Sequence, residues 1–281
     1  MLKKKLDIYL PRIIGAYLNT VARVAPRYAG KKAVTIFCTP RKGRIRPKDE
    51  AALAAFSRKQ LTVNGITVQC YEKGNGAKTI LFAHGWESNA ARWKRVFDLL
   101  ERGNEYRIVA IDGPGHGGSG SKLFNSPLYA QFIQEACAHF RPDILVGHSI
   151  GAASIVFYLT HLEAITPEKL VLMGSPSDFP EIAETYSRLL QLNKRSYSAM
   201  MQHFRELFNM EPEYYSIRNF VKQLTVPGVV VHDTGDAVSP FANATAIAGN
   251  WKGAKLVPVS GSGHSLNTSE ALELVVNAIT Q

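Results

Sequence analysis

The amino-acid sequence predicts an α/β protein with an open, mostly parallel sheet, and three observations carry that prediction. Short apolar runs alternate with longer segments of helical periodicity. Several runs, such as TILFAHG (79–85) and KLVLMGS (169–175), are too continuously apolar for a half-exposed sheet and suit strands covered on both faces. The chain has 281 residues, 46% of them apolar, enough to bury one large core or two small ones.

The elements follow in order. Leu6, Leu10, Ile13, Ile14, Tyr17, Leu18, Val21 and Val24 recur at three- and four-residue steps, the stripe of one amphipathic helix. Pro11 falls near its first turn, where proline is tolerated. Residues 38–50, CTPRKGRIRPKDE, read as a basic linker, so residues 1–59 form a basic helical extension and residues 60–281 the main domain. That domain opens with QLTV-NG-ITVQCYEKG, in which Asn64-Gly65 between two alternating runs signals a hairpin with a type I′ turn. Strands are expected at 79–85, 106–112, 143–149, 169–175, 227–233 and 254–260. Helices are expected at 89–101, 127–140, 150–162 and 268–280. The alternation breaks once, at about 177–224, where long and aromatic side chains from Tyr186 to Phe220 mark a small helical insertion.

Charge is distributed unevenly. Residues 1–48 hold thirteen Lys or Arg against one acid, Asp7, a net +12; residues 49–281 hold 20 basic and 22 acidic residues, a net −2. The extension therefore expects an acidic partner, an anionic membrane surface or an acidic protein. Its helix has two readings: lying on such a membrane, or packing back onto the main domain. Nucleic acid is not expected, because the main domain has no basic excess and no nucleic-acid-binding motif. MLKKKLDIYL begins like a secretory signal, but Asp7, Pro11 and Arg12 interrupt the apolar region. No run approaches the ~18 apolar residues of a membrane span. Cys38, Cys70 and Cys137 are scattered and odd in number, against a disulfide framework or a zinc site. The expectation is a cytoplasmic protein, or one peripheral at the inner membrane surface.

The chemistry centres on Ser149 in DILVGHSIG. G-x-S-x-G should arise by chance in roughly one in ten chains of this length, so its setting matters more: a buried strand before it and a helix after it. A sharp strand–turn–helix junction forces the serine into a strained conformation and lifts its Oγ above the sheet. The N–H of Ile150, at the helix start, faces the same space. A serine hydroxyl needs a base. Of eight histidines, His264 in SGSGH directly follows the final strand; His148 adjoins the serine, but neighbours in a tight turn point apart. His139, His161 and His203 lie within helical stretches. The base needs a carboxylate to fix its tautomer. Asp236 in HDTGDAVSP is the leading candidate, with Asp178 and Asp233 as alternatives.

Taken together, Ser149, Asp236 and His264 in that order on a βα pattern resemble the α/β-hydrolase superfamily, over about residues 60–281. His84-Gly85-Trp86 resembles the family's H-G-x turn after its third strand. Asp112-Gly-Pro-Gly-His116-Gly-Gly-Ser119 is similar to its D-x-x-G-x-G-x-S loop, and His232-x-x-x-Asp236-x-x-x-Pro240 to its acid loop. The resemblance implies an eight-stranded sheet with helices on both faces, an antiparallel second strand and a small helical lid formed by the insertion. It implies a Ser149–His264–Asp236 triad, with the backbone N–H groups of Ile150 and Trp86 holding an oxyanion. HGW in place of HGGG points to a serine carboxylesterase-like branch. Serine rather than aspartate at the nucleophile position excludes, by the family pattern, the dehalogenase and epoxide hydrolase branches. The function implied is hydrolysis of a small-molecule ester with an apolar acyl chain, without metal or organic cofactor. Thioester or C–C bond hydrolysis by the same triad is the alternative, and a non-catalytic binder on the same scaffold the remaining rival.

Overall fold

The computed structural model describes residues 2–101 and 105–281, with side chains from residue 9 onward. The side chains of Leu6 of the predicted stripe and of Lys3, Lys4 and Lys5 are not among those described. The chain begins with α1 (Leu2–Val21), α2 (Pro26–Phe37) and α3 (Pro47–Ala52), followed by β1 (Ser57–Val63), β2 (Ile66–Lys73) and β3 (Lys78–Ala83). A 3-10 turn (Ala90–Trp93) leads into α4 (Lys94–Leu100), then β4 (Tyr106–Ile111), α5 (Ser126–Phe140), β5 (Ile144–His148), α6 (Ile150–His161) and β6 (Lys169–Met173). The insertion contributes α7 (Phe179–Leu190) and α8 (Lys194–Phe208); α9 (Ile217–Phe220), β7 (Gly228–Asp233), α10 (Phe241–Asn250), β8 (Ala254–Val259) and α11 (Ser269–Thr280) complete the chain.

The eight strands form one sheet in the order β1-β2-β4-β3-β5-β6-β7-β8. β2 runs antiparallel to both β1 and β4, and the remaining neighbours are parallel. Asn64 and Gly65 take φ of 49° and 76°, both left-handed as the hairpin turn requires, and set the Val63↔Ile66 register. Central strands are buried along their length: Ile80–Ala83, Val109–Ile111 and Leu170–Leu172 are essentially inaccessible. Each such aliphatic side chain contributes about 1.5–3 kcal/mol of hydrophobic stabilisation. Helix starts follow their caps. Asn125 accepts from the Leu128 N–H to open α5, and Thr268 accepts from Ala271 to open α11.

By its internal contacts the chain divides into two units, Pro40–Ser177 with Ile217–Gln281, and Met1–Thr39 with Asp178–Ser216. The first holds the whole sheet. It also absorbs the segment expected to be a basic linker. Gly117 N–H donates to Gly43 O, the Arg44 guanidinium donates to Ser119 O and Ser121 O, and Arg46 caps α3 through Asp49. These cations are spent on carbonyls and a buried carboxylate, which is why the segment is ordered despite its composition.

The second unit joins the two N-terminal helices to the insertion. Leu18, Ala33, Val34 and Cys38 share a buried cluster with Ala183, Leu190, Met200 and Phe204, and Phe37 meets Phe179, Tyr186 and Phe204 edge-on. Glycine permits the closest approaches. A Cβ on Gly15 would lie 1.6 Å from Leu190 O, and one on Gly30 2.1 Å from Ala199 O. Asn19 clamps the α7–α8 turn, donating to Gln191 O and accepting from Asn193 N–H, both at 2.9 Å. So α1 packs against the insertion helices. α2, which the sequence reading does not anticipate, pairs along its length with α8.

Candidate active site

Ser149 sits between β5 and α6 with φ 53° and ψ −124°, a strained conformation for a residue bearing a Cβ. Its N–H donates to Met173 O at 2.7 Å, fixing the turn to the neighbouring strand. The flanking glycines are steric necessities: a Cβ on Gly147 would lie 2.5 Å from Ala152 Cα, and one on Gly151 2.5 Å from Ala83 O and His84 O.

His264 follows β8, and its Nε2 lies 3.0 Å from Ser149 Oγ. Its Nδ1–H donates to Asp236 Oδ2 at 2.7 Å, which leaves Nε2 as the acceptor of the serine proton. Asp236 is fully buried at its carboxylate, and Oδ1 accepts from the Val238 and Ser239 N–H groups at 2.8 and 3.0 Å. The acid therefore keeps one oxygen for the loop that carries it and one for the imidazole. Asp233 instead spends its carboxylate on Gly235 N–H and Ser262 N–H. Burial opposes its charge, but these backbone donors prevail and hold its pKa below the usual carboxylate range. Asp178 belongs to the other unit, at the N-cap of α7.

Three groups hold the backbone of the His264 loop. His148 Nε2–H donates to His264 O at 2.8 Å, Arg92 donates to Ser265 O at 2.9 Å, and Arg95 donates to Asn267 O. His148 thus does not reach the Ser149 hydroxyl; it fixes the main chain of the residue that does. Burial keeps it neutral, its pKa far below the ordinary value. The two arginines were not singled out in the sequence. Their only signal there is ARWKR, an ordinary charged helix start.

Trp86 stands in a turn braced on both sides. His84 Nδ1–H donates to Gly85 O at 2.7 Å, and His116 Nε2 accepts from Glu87 N–H at 3.0 Å. A Cβ on Gly85 would lie 3.0 Å from Ser149 Cβ, so this turn runs directly beside the serine. Ile150 is the first residue of α6, where an N–H has no acceptor in a preceding turn and faces outward with the positive end of the helix dipole. Asp112 ties the pieces together, with Oδ1 accepting from Ala90 N–H and Oδ2 from Tyr71 O–H and Gly118 N–H. Burial raises its pKa. Trp86 is 39% exposed, its ring edge-on to Phe124; Leu123 and Val238 are also exposed. Among the described residues, no group of three or more His, Cys, Asp or Glu side chains is placed to hold a metal ion.

The fold and this arrangement define an α/β-hydrolase. The model of the alpha/beta hydrolase family matches residues 80–278, and the chain belongs to that family; it is a hydrolase. The dihydrolipoyllysine-residue acetyltransferase component of the acetoin cleaving system of Cupriavidus necator is 36% identical over 116 residues, a match spanning 37% of this chain and 29% of that protein. Karrikin insensitive 2 receptor IA of Petunia hybrida is 25% identical over 235 residues, 68% of this chain and 85% of the receptor. Among solved structures, the esterase EaEST of Exiguobacterium antarcticum aligns with a TM-score of 0.60 at 18% identity, over 80% of this chain and 98% of the esterase, a likeness of fold.

Proposed function

We propose that this hydrolase is a serine carboxylesterase acting on esters with an apolar acyl chain. The observation that carries the proposal is the continuous hydrogen-bonded path from Ser149 Oγ through His264 to Asp236. In this mechanism Ser149 Oγ attacks the acyl carbonyl carbon as its proton passes to His264 Nε2. Asp236 keeps the Nδ1–H tautomer and stabilises the imidazolium. The Ile150 and Trp86 N–H groups take the oxyanion, each such donor contributing about 2.7–4 kcal/mol. His264 then protonates the departing alkoxide, and the acyl–serine ester remains. Water, deprotonated by the same imidazole, releases the acid and restores the serine. No step calls on a metal or organic cofactor. The exposed Trp86, Leu123 and Val238 favour an apolar acyl group over a charged one.

A lid role for the insertion at about 177–224 is part of the same proposal, supported by its place in the chain between β6 and β7. The serine-first chemistry extends to thioesters and to C–C bonds beside a carbonyl. The name of the petunia relative, a receptor, supports a second reading, a binding protein on this scaffold.

The deciding experiment is turnover of a short p-nitrophenyl ester by the wild type and Ser149→Ala, with fluorophosphonate labelling of both. The expected result is multiple turnovers and labelling in the wild type only. Equal rates in the two proteins reject the serine mechanism, and labelling without sustained turnover favours the receptor reading.

A further inference from the structure

We propose that the unit formed by residues 1–39 and 178–216 docks on an anionic phospholipid surface through the outer face of α1 and the adjoining start of α2. The first observation is that α1 has two apolar faces and uses only one. Pro11, Gly15, Leu18 and Ala22 are buried, Leu18 within the cluster it shares with Leu190 and Met200. The 1.6 Å approach of a Gly15 Cβ to Leu190 O locks that rotation of the helix. The other face is left outside: Tyr9, Ile13 and Tyr17 are 55%, 60% and 49% exposed, and in the turn that follows the helix Val24 is 87% exposed. Positions 9, 13 and 17 fall on one row of the helix. Of the exposed large apolar side chains among the described residues, eight belong to this small unit, and the three others to the much larger body.

The second observation is charge. From residue 8 to residue 39 the chain has Arg12, Arg23, Arg27, Lys31 and Lys32 and no acidic residue. All five are exposed. Arg12 flanks Ile13, Arg23 flanks Val24, and Arg27 flanks Tyr28, which is itself 48% exposed. Aliphatic tips, tyrosines with a wet hydroxyl end and long cationic side chains suit the headgroup boundary of a bilayer, where the apolar parts enter and the guanidinium groups reach phosphate. An acidic protein would match the charges and leave Ile13 and Val24 without a reason to be exposed. A cavity of about 270 Å³ beside this face, lined by Arg27, Tyr28, Lys31, Gln202, His203 and Glu206 among others, offers two cations one turn apart for a headgroup phosphate. No described helix is long and apolar enough to cross a membrane, so the contact is with the surface.

The test is flotation of the full chain with vesicles of phosphatidylcholine alone or mixed with phosphatidylglycerol. Wild type is expected to float with the mixed vesicles, to bind them more than about tenfold less at high salt, and to stay with the soluble fraction when the vesicles are neutral. Ile13→Asp/Tyr17→Asp and Arg12→Glu/Arg23→Glu are each expected to weaken flotation by more than about tenfold while thermal unfolding and circular dichroism stay as in wild type. Wild type that ignores the anionic vesicles overturns the proposal. So does flotation untouched by either pair, or a dimer in vesicle-free solution that Ile13→Asp/Tyr17→Asp dissociates, because the face would then be covered by a second copy. The measurement is independent of the esterase reading, since no substrate enters it.

Discussion

The two units of the molecule are built on opposite logic. In the body, strands consecutive in sequence are neighbours in the sheet or have one strand between them, and they fill a sheet whose centre is sealed from water. In the smaller unit, the two most extensive helix contacts join distant parts of the chain, α2 with α8 and α1 with α7. Local order made the first readable and left the second hidden. The difference also separates roles. The body carries a pre-assembled hydrogen-bonded site, whereas the smaller unit carries an unspent apolar and cationic face.

The comparison is broken most sharply by changes that injure one region and spare the other. Asp236→Asn should lower kcat for a p-nitrophenyl ester by about 10⁴-fold, because the amide no longer holds the His264 tautomer. Amide hydrogen exchange in α1, α2, α7 and α8 should be unchanged. Phe204→Ala is the converse. Removing a ring that is 3% exposed and packed on Phe37 and Phe179 should cost about 3–5 kcal/mol in the smaller unit. Exchange protection of its four helices should fall, while fluorophosphonate labelling of Ser149 persists. Loss of protection across the sheet as well would mean that the two cores unfold as one.

Acid sharpens the contrast at smaller amplitude. Burial holds His84 down to about 4 and His116 down to about 3, against an ordinary value of 6.5. Both are neutral when folded and take up protons when unfolded, so the unfolded chain binds more protons below pH 6.5. Stability of the body should therefore decline as pH falls from 6.5 toward 4 and then 3. The smaller unit has a single histidine, His203, on its partly exposed surface. Hydrogen exchange compared at neutral and mildly acid pH should show protection lost first in the sheet.

What the sequence made legible follows from the same division. The six expected parallel strands appear within two residues of their predicted ends, because each is a short apolar run that needs no distant partner to be recognised. Ser149, Asp236 and His264 stand on loops that follow strands, and parallel strands bring such loops to one edge. α2 escaped notice because its buried side chains, Ala29, Gly30, Ala33 and Val34, are small and leave almost no apolar signal. Their smallness lets α8 approach, a reason visible only with both helices present. The predicted α1 stripe was read as one face, yet it divides: Leu18 lies inside, and Ile13, Tyr17 and Val24 lie outside. Arg92 and Arg95 were missed for a related reason. They address main-chain carbonyls more than 170 positions away, and backbone acceptors leave no mark in a sequence.

The split construction of the smaller unit also has a consequence for synthesis. Residues 40–177 must leave the ribosome between α2 and the start of α7. At roughly 5–20 residues per second, that interval is about seven to thirty seconds. During it the inner face of α1 and the small-residue seam of α2 lack α7 and α8 to pack against. The nascent chain thus presents this surface before its partners exist, and a chaperone or a nearby bilayer would meet it in that interval.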